Sequence, residues 1–244
     1  MEFEMSGVTH QGMVRINNED TISVLPDLGI AILADGMGGH QAGEVASSMA
    51  VEMIKQYYSD GELDTRSDND VEHLVEAIEL ANTAVFELSQ ERPECAGMGT
   101  TIVVCQFVNG RVYAGHVGDS RLYRLRDSEL EQITRDHSVV QELVSRGFMS
   151  QEEANNSMNK NLVTRALGIE ASVEADINEA PYQSGDIYLL CSDGLSDVVS
   201  DDRIQDTLIT NLDSLETATQ QLIDDANSAG GPDNISVVLV RITG

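Results

Sequence analysis

Four aspartates in this sequence stand at the edges of apolar runs, each beside a glycine, serine or asparagine. Asp35-Gly36 closes the run "AILAD", Asp119 closes "AGHVGD", Asp193-Gly194 closes "YLLCSD", and Asp233 stands just ahead of "NISVV". If these runs are neighbouring strands, several carboxylates meet at one end of the core. Carboxylates held a few ångströms apart repel one another, and a bound cation or a shared proton relieves the repulsion. Hard oxygen ligands without His or Cys suit Mg2+ or Mn2+. The competing reading is local: Asp-Gly is a common turn dipeptide, and any one of these sites can be a turn and nothing more.

Charge narrows the partners. Across 244 residues, 14 Lys and Arg face 42 Asp and Glu, a formal net charge of -28. Phosphate-backbone binding needs clustered cations, so nucleic acid is excluded as a partner. An anionic membrane surface is disfavoured for the same reason, and no stretch reaches the roughly 20 apolar residues of a membrane span. The N-terminus, Met-Glu-Phe-Glu, carries neither a basic segment nor an apolar signal core, which predicts a cytoplasmic protein. Cys95, Cys105 and Cys191 are odd in number and widely spaced, as reduced core thiols are. No close Cys/His pairs suggest zinc. Arg121, Arg124, Arg126 and Arg135 form the one basic cluster, read either as a solvated strand face or as a docking patch for acidic phosphoprotein.

The elements that must position the aspartates follow from periodicity. Residues 29–35 read as a buried strand. Val45, Met49, Met53 and Tyr57 recur every four residues and predict a helix over about 41–58; Val71, Leu74, Val75, Ile78, Ala81, Val85 and Leu88 predict a second over 71–88. Asn109-Gly110 between two apolar runs is a hairpin signal, and a second hairpin turns around Asp127-Ser128. Residues 138–167 are polar and weakly helical and read as a flap-like surface insertion, mobile and beside the site. Residues 186–193 predict a buried strand, 201–210 and 213–228 helices, and 234–242 a closing strand. Hairpins plus helix pairs, without βαβ alternation, argue for one domain over 1–244 of antiparallel α+β layers.

Eight motifs in order carry a resemblance: "GMVRINNED" (12–20), "ADGMGGHQAGEVAS" (34–47), "GTT" (99–101), "AGHVGDSRLY" (114–123), "TRDHS" (134–138), "TRALG" (164–168), "LLCSDGLSD" (189–197) and "GPDNIS" (231–236). Together they resemble the metal-dependent Ser/Thr protein phosphatases of the 2C type in their compact bacterial form. The resemblance covers the chain from about Gly7 to Ile242. It implies a central β-sandwich of two antiparallel sheets flanked by helix pairs on both outer faces, with a binuclear Mn2+ or Mg2+ centre between the sheets. It further implies that Asp35 bridges both metals, that the Gly36 carbonyl binds the second, and that Asp193 and Asp233 complete the first. Asp119 and Asp193 would hold a third ion, Glu19 would hold metal-bound water, and Arg15 would bind the substrate phosphate.

One position departs from the eukaryotic pattern, which has a His two residues after the bridging Asp: here it is Met37. His40 lies three residues further on and is the candidate proton donor to the leaving group, or a helix cap. His116 and His137 read as structural. The resemblance implies a monomeric phosphatase that acts on phosphoserine and phosphothreonine of phosphorylated proteins and opposes a cognate Ser/Thr kinase. Two alternatives stand beside it: a catalytically weak, metal-binding phosphoprotein-recognition module, and a same-fold phosphatase dedicated to a bacterial regulator such as an anti-sigma antagonist.

Overall fold

The computed structural model describes residues 3–39, 42–59, 70–155, 157, 159 and 161–244. In chain order the elements are β1 (Phe3–His10), β2 (Asp20–Leu25), β3 (Ile30–Met37), α1 (Ala42–Ser59), α2 (Asp70–Glu91), β4 (Gly99–Thr100), β5 (Ile102–Val108), β6 (Arg111–Val117), β7 (Arg121–Arg126), β8 (Glu129–Gln132), α3 (Val139–Ser145), α4 (Gln151–Asn155), β9 (Asp176–Pro181), β10 (Ile187–Cys191), α5 (Asp193–Ser196), α6 (Asp201–Thr210), α7 (Leu215–Ser228) and β11 (Ile235–Ile242).

Every pairing between these strands is antiparallel. One sheet runs β1-β11-β10-β7-β8, and the other β2-β3-β5-β6-β9 with β4 attached to β3. Side chains alternate between faces along a strand, and the apolar runs are continuous because both faces are buried. In β3, Ile30, Ile32 and Ala34 pack toward α1 and α2, while Ala31 and Leu33 pack toward the opposite sheet. In β10, Leu189 and Cys191 pack against α5–α7, while Tyr188 and Leu190 enter the inter-sheet core. Three apolar layers thus alternate with helices, sheet, sheet and helices, the α+β layering expected from the sequence.

Both hairpins form. Asn109 (φ 51°) and Gly110 (φ 82°) turn β5 into β6; Asp127 (φ 52°) and Ser128 (φ 67°) turn β7 into β8. Two consecutive positive φ values match the twist of paired strands, and short polar residues tolerate them. The edge strand β9 gave no sequence signal, because "DINEAP" is polar and only half-buried. In the 138–167 segment, Ser138 pairs with Val163 and caps α3 by accepting from the Gln141 N–H. Its far end is core: Leu167 is fully buried and paired with Thr100.

Candidate metal centre

Asp35 sits near the end of β3, and its backbone is clamped by the "GTT" segment. Its N–H donates to Thr101 Oγ1 (3.0 Å), and its carbonyl accepts from the Thr101 N–H (2.8 Å) and Thr100 Oγ1 (2.9 Å). Gly36 must be glycine, since a Cβ there would collide with the carbonyl oxygens of Gly43 and Glu19. Directly across the β2–β3 ladder from Asp35 stands Asp20. The opposite sheet contributes Asp193, the first residue of α5, and Asp233, just ahead of β11. Asp119 follows the left-handed Gly118 (φ 108°) after β6.

Asn234 ties the loop between β1 and β2 to this centre. Its Nδ2 donates to the carbonyls of Gln11 (2.9 Å) and Asn17 (2.8 Å), and its Oδ1 accepts from the Glu19 N–H (2.8 Å). Arg15 on that loop donates to Asp233 Oδ2 at 2.7 Å, while Asp233 Oδ1 accepts from the Asn234 N–H at 2.8 Å. Glu19 is partly buried beside them.

The electrostatics are unfavourable among the aspartates. Burial, then the charges of Asp20, Asp193, Asp119 and Asp233, raise Asp35 well above the usual carboxylate range. Asp193 is raised likewise by burial, then by Asp119, Asp197, Asp233 and Asp20. Burial foremost pushes Asp20 and Asp119 up to about 6 and raises Glu19, with Arg15 opposing. Asp20 Oδ2 accepts from Ser192 Oγ (2.9 Å), but Asp20 Oδ1 and Asp193 Oδ1 are buried with no hydrogen-bond partner. Buried carboxylate oxygens left bare cost several kcal/mol, on the order of an unpaired charge, unless a cation serves them. The donors are oxygens throughout, which fits a Mg2+- or Mn2+-type ion.

Asp35, Gly36, Asp119, Asp193 and Asp233 therefore converge at one end of the sandwich, with Arg15 and Glu19 at its edge. His40 lies outside the described residues. Asp20 is the site residue that the sequence reading missed; its signal was its place between Glu19 and the apolar run "TISVL", the same strand-edge setting as the other four. Three of the four clustered arginines are spent on ion pairs: Arg121 with Asp136 (2.7 Å), Arg126 with Asp186 (2.6 Å), and Arg124 with Glu131. Each is answered locally, and strand alternation puts Arg121 on one face of β7 and Arg124 and Arg126 on the other, so they form neither a docking patch nor one solvated face.

Among the described residues, the ligand-capable atoms that come within 4.8 Å of one another in a group of three belong to His116, His137 and Asp176. The aspartate ring is wider than that. The imidazole cluster is nonetheless occupied by protein: Arg165 Nη1 lies 2.7 Å from Asp176 Oδ1 and 3.3 Å from His137 Nε2. His137 Nδ1 accepts from the Gly118 N–H (3.1 Å), so the neutral ring carries its proton on Nε2 and has no lone pair there for a metal. Between the 138–167 segment and the α5–α6 corner lies a cavity of about 710 Å³ whose wall includes Asp119 and Asp193.

The model of the protein phosphatase 2C family matches residues 15–235. The serine/threonine phosphatase stp of Listeria welshimeri is 39% identical over 236 residues, covering 96% of this chain and 93% of that protein. The protein phosphatase PhpP of Streptococcus pneumoniae is 38% identical over 243 residues, covering 98% and 97%. The crystal structure of the Mycobacterium tuberculosis serine/threonine phosphatase PstP/Ppp superimposes with a TM-score of 0.93 at 37% identity over 100% of both chains. The catalytic domain of PstP in complex with two manganese ions gives 0.89 at 37% identity, covering 100% of this chain and 99% of that one.

Proposed function

This chain belongs to the protein phosphatase 2C family and is a metal-dependent serine/threonine phosphatase, and from that premise we propose how its own residues divide the work. Asp35, the Gly36 carbonyl, Asp193 and Asp233 hold two divalent cations, Mn2+ or Mg2+, and Asp119 with Asp193 holds a third. Bound there, such cations supply Lewis acidity at the phosphoryl oxygens and ease deprotonation of water at neutral pH. Arg15 presents paired N–H donors to the phosphoryl group, a match of planar guanidinium to phosphate oxygens that a lysine lacks. Glu19 and Asp20 orient water by accepting its hydrogen bonds. His40 is assigned the proton given to the departing serine or threonine oxygen.

The observation that carries this reading is the set of bare, buried carboxylate oxygens on Asp20 and Asp193 beside an Asp35 whose charge four other aspartates oppose. Arg15 already partners Asp233 (2.7 Å), one of the residues that would hold the cations. We read the chain as one 2C-type domain, cytoplasmic and monomeric, acting on phosphoproteins and opposing a Ser/Thr kinase, with the 138–167 segment as a flap over the cavity beside Asp119.

The test is release of phosphate from a phosphothreonine peptide and from p-nitrophenyl phosphate. Mn2+ should support turnover and chelator should abolish it; full activity in excess chelator would defeat the assignment, and no turnover at all would leave a binding module. Arg15→Ala should raise KM by about 10- to 100-fold, the loss of one charge-assisted contact, while Mn2+ affinity by calorimetry does not weaken. Asp119→Ala should lower kcat more on the peptide than on p-nitrophenyl phosphate, because an alkoxide leaves poorly and nitrophenolate leaves readily.

A further inference from the structure

The loop that carries Arg15 has an unusual combination of a fixed backbone and exposed apolar side chains. Its backbone is held at five points. The Gly12 N–H donates to His10 Nδ1 (2.9 Å), and the Met13 N–H to the Gly231 carbonyl (2.8 Å). Gln11 Nε2 donates to the carbonyls of Arg15 (2.6 Å) and Ile16 (2.7 Å), and Asn234 Nδ2 to that of Asn17 (2.8 Å). Gly12 adopts φ +80° with no room for a Cβ against the Asp233 carbonyl. On this braced loop Met13, Val14 and Ile16 are 66%, 67% and 89% exposed, and Ile16 is the most exposed large apolar residue among those described.

Single exposed apolar residues are ordinary, but a contiguous group of them marks a surface that is covered in use. These three flank Arg15 on both sides, and Arg15 is itself half-exposed (51% for its side chain). A phosphoryl group that reaches Arg15 brings the residues next to the phosphorylated side chain across this loop. The loop is pinned at Met13 and Asn17 to the segment ahead of β11, through the Gly231 carbonyl and Asn234 Nδ2, which fixes its course past Asp233. Acidic neighbours on the substrate would meet Glu19, Asp233 and a chain of net charge -28, so charge does not favour them.

We propose that Met13, Val14 and Ile16 form the substrate-docking rim of this phosphatase, and that it selects phosphoprotein segments with apolar residues next to the phosphoserine or phosphothreonine. The proposal rests on the phosphatase reading above and names the substrate class of that same site. Burying an apolar side chain at such a rim discriminates by roughly 10-fold or more per contact that is gained.

Two phosphothreonine peptides of equal length and charge test this, one with Leu and Val flanking the phosphothreonine and one with Ser and Gln. The quantity read is the ratio of their kcat/KM values at saturating Mn2+, with p-nitrophenyl phosphate as a reference substrate. The wild-type ratio should favour the apolar peptide by about tenfold or more. In Met13→Gln/Val14→Thr/Ile16→Ser it should fall toward one, and in Ile16→Ser alone, which at 89% exposure leaves packing untouched, partway. A wild-type ratio near one overturns the proposal, as does a preference that survives in the triple variant. A wild-type dimer that dissociates in the triple variant assigns the rim to a second copy and overturns it too. Failure on all three substrates, p-nitrophenyl phosphate included, instead sinks the phosphatase reading itself, and the proposal with it.

Discussion

Two clusters of ionisable side chains meet at the Gly118–Asp119 turn, and they are in opposite electrostatic states. On one side the aspartate ring has bare oxygens on Asp20 and Asp193 and mutual repulsion centred on Asp35. On the other, His116, His137 and Asp176 are tightly gathered and internally served. Arg165 pairs with Asp176 (2.7 Å), the His137 Nε2–H faces Asp176 Oδ1 (3.4 Å), the two rings stack at 4.7 Å, and His116 Nε2 donates to the Arg135 carbonyl (2.9 Å). Burial foremost, with His116 and Arg165, lowers His137 to about 4, so it is neutral near pH 7. One atom there is also bare, His116 Nδ1, but a lone ring nitrogen without a partner costs less than a bare carboxylate oxygen. Proximity alone would point to the imidazoles as the metal site. Compensation points to the aspartates: what marks function is the charge that the protein leaves unanswered.

The largest expected effect comes from removing the charge at the centre of the ring. Asp35→Asn should cut kcat on a phosphothreonine peptide on the order of a thousandfold or more, the scale on which preorganised electrostatics contributes. The same change should raise the melting temperature of the metal-free protein, because it relieves repulsion with Asp20, Asp193, Asp119 and Asp233. Mn2+ should then add little stability, whereas it stabilises the wild type by binding only the folded state. A variant that keeps activity within tenfold and gains nothing in chelator would dissolve the contrast between the clusters.

A smaller effect is written into the pH dependence of the metal-free protein. Asp20 and Asp119 titrate near 6 in the folded state and near 3.9 when unfolded. Raised carboxylates bind protons more tightly in the folded chain, so their contribution is complete below the unfolded value and is lost as pH rises through about 6. After chelator treatment, the unfolding free energy from urea titration should be higher at pH 5 than at pH 7.5, by about 1.4 kcal/mol for each of the two groups. Saturating Mn2+ should reverse the order, since ligands must be deprotonated to bind it. A metal-free protein that gains stability from pH 5 to 7.5 would mean that the ring is answered by groups other than a cation.

Much of this was legible in the sequence because strand ends and turn dipeptides are local signals. Asp35, Asp119, Asp193 and Asp233 each announce themselves at an apolar boundary, and periodicity gave α1, α2 and the hairpins. What escaped depends on contacts distant in sequence. Asp20 shares the strand-edge setting, but it has no glycine, serine or asparagine beside it, and only the β2–β3 register puts it across from Asp35. Asn234 reads as a turn residue until its side chain is seen holding Gln11, Asn17 and Glu19 more than two hundred residues away. β9 is legible as an edge strand only once β6 offers it a partner, and the arginines of β7 looked available only while their acidic partners on β8 and before β10 were unplaced.

The smallest effect tests the satisfied cluster directly. His137 is buried, and through Nδ1 it accepts the Gly118 N–H while its own N–H donates to the Gly118 carbonyl (2.8 Å), so it braces the turn that presents Asp119. In His137→Phe the ring shape and the stack on His116 persist, and the backbone bond can persist too. The Gly118 N–H then loses its acceptor inside the protein, a cost of about 1–2 kcal/mol. Arg165 keeps Asp176 at 2.7 Å, so no charge is stranded and the loss should stop there. The Mn2+-induced rise in melting temperature should match that of the wild type, because no ligand of the aspartate ring is touched. If His116, His137 and Asp176 were a metal site instead, the same substitution would remove a ligand, and stabilisation by Zn2+ or Mn2+ would drop with it. The measurement that separates the two is therefore the metal-induced shift in melting temperature, compared between His137→Phe and Asp35→Asn: preserved in the first and lost in the second if the ring binds the metal, the reverse if the imidazoles do.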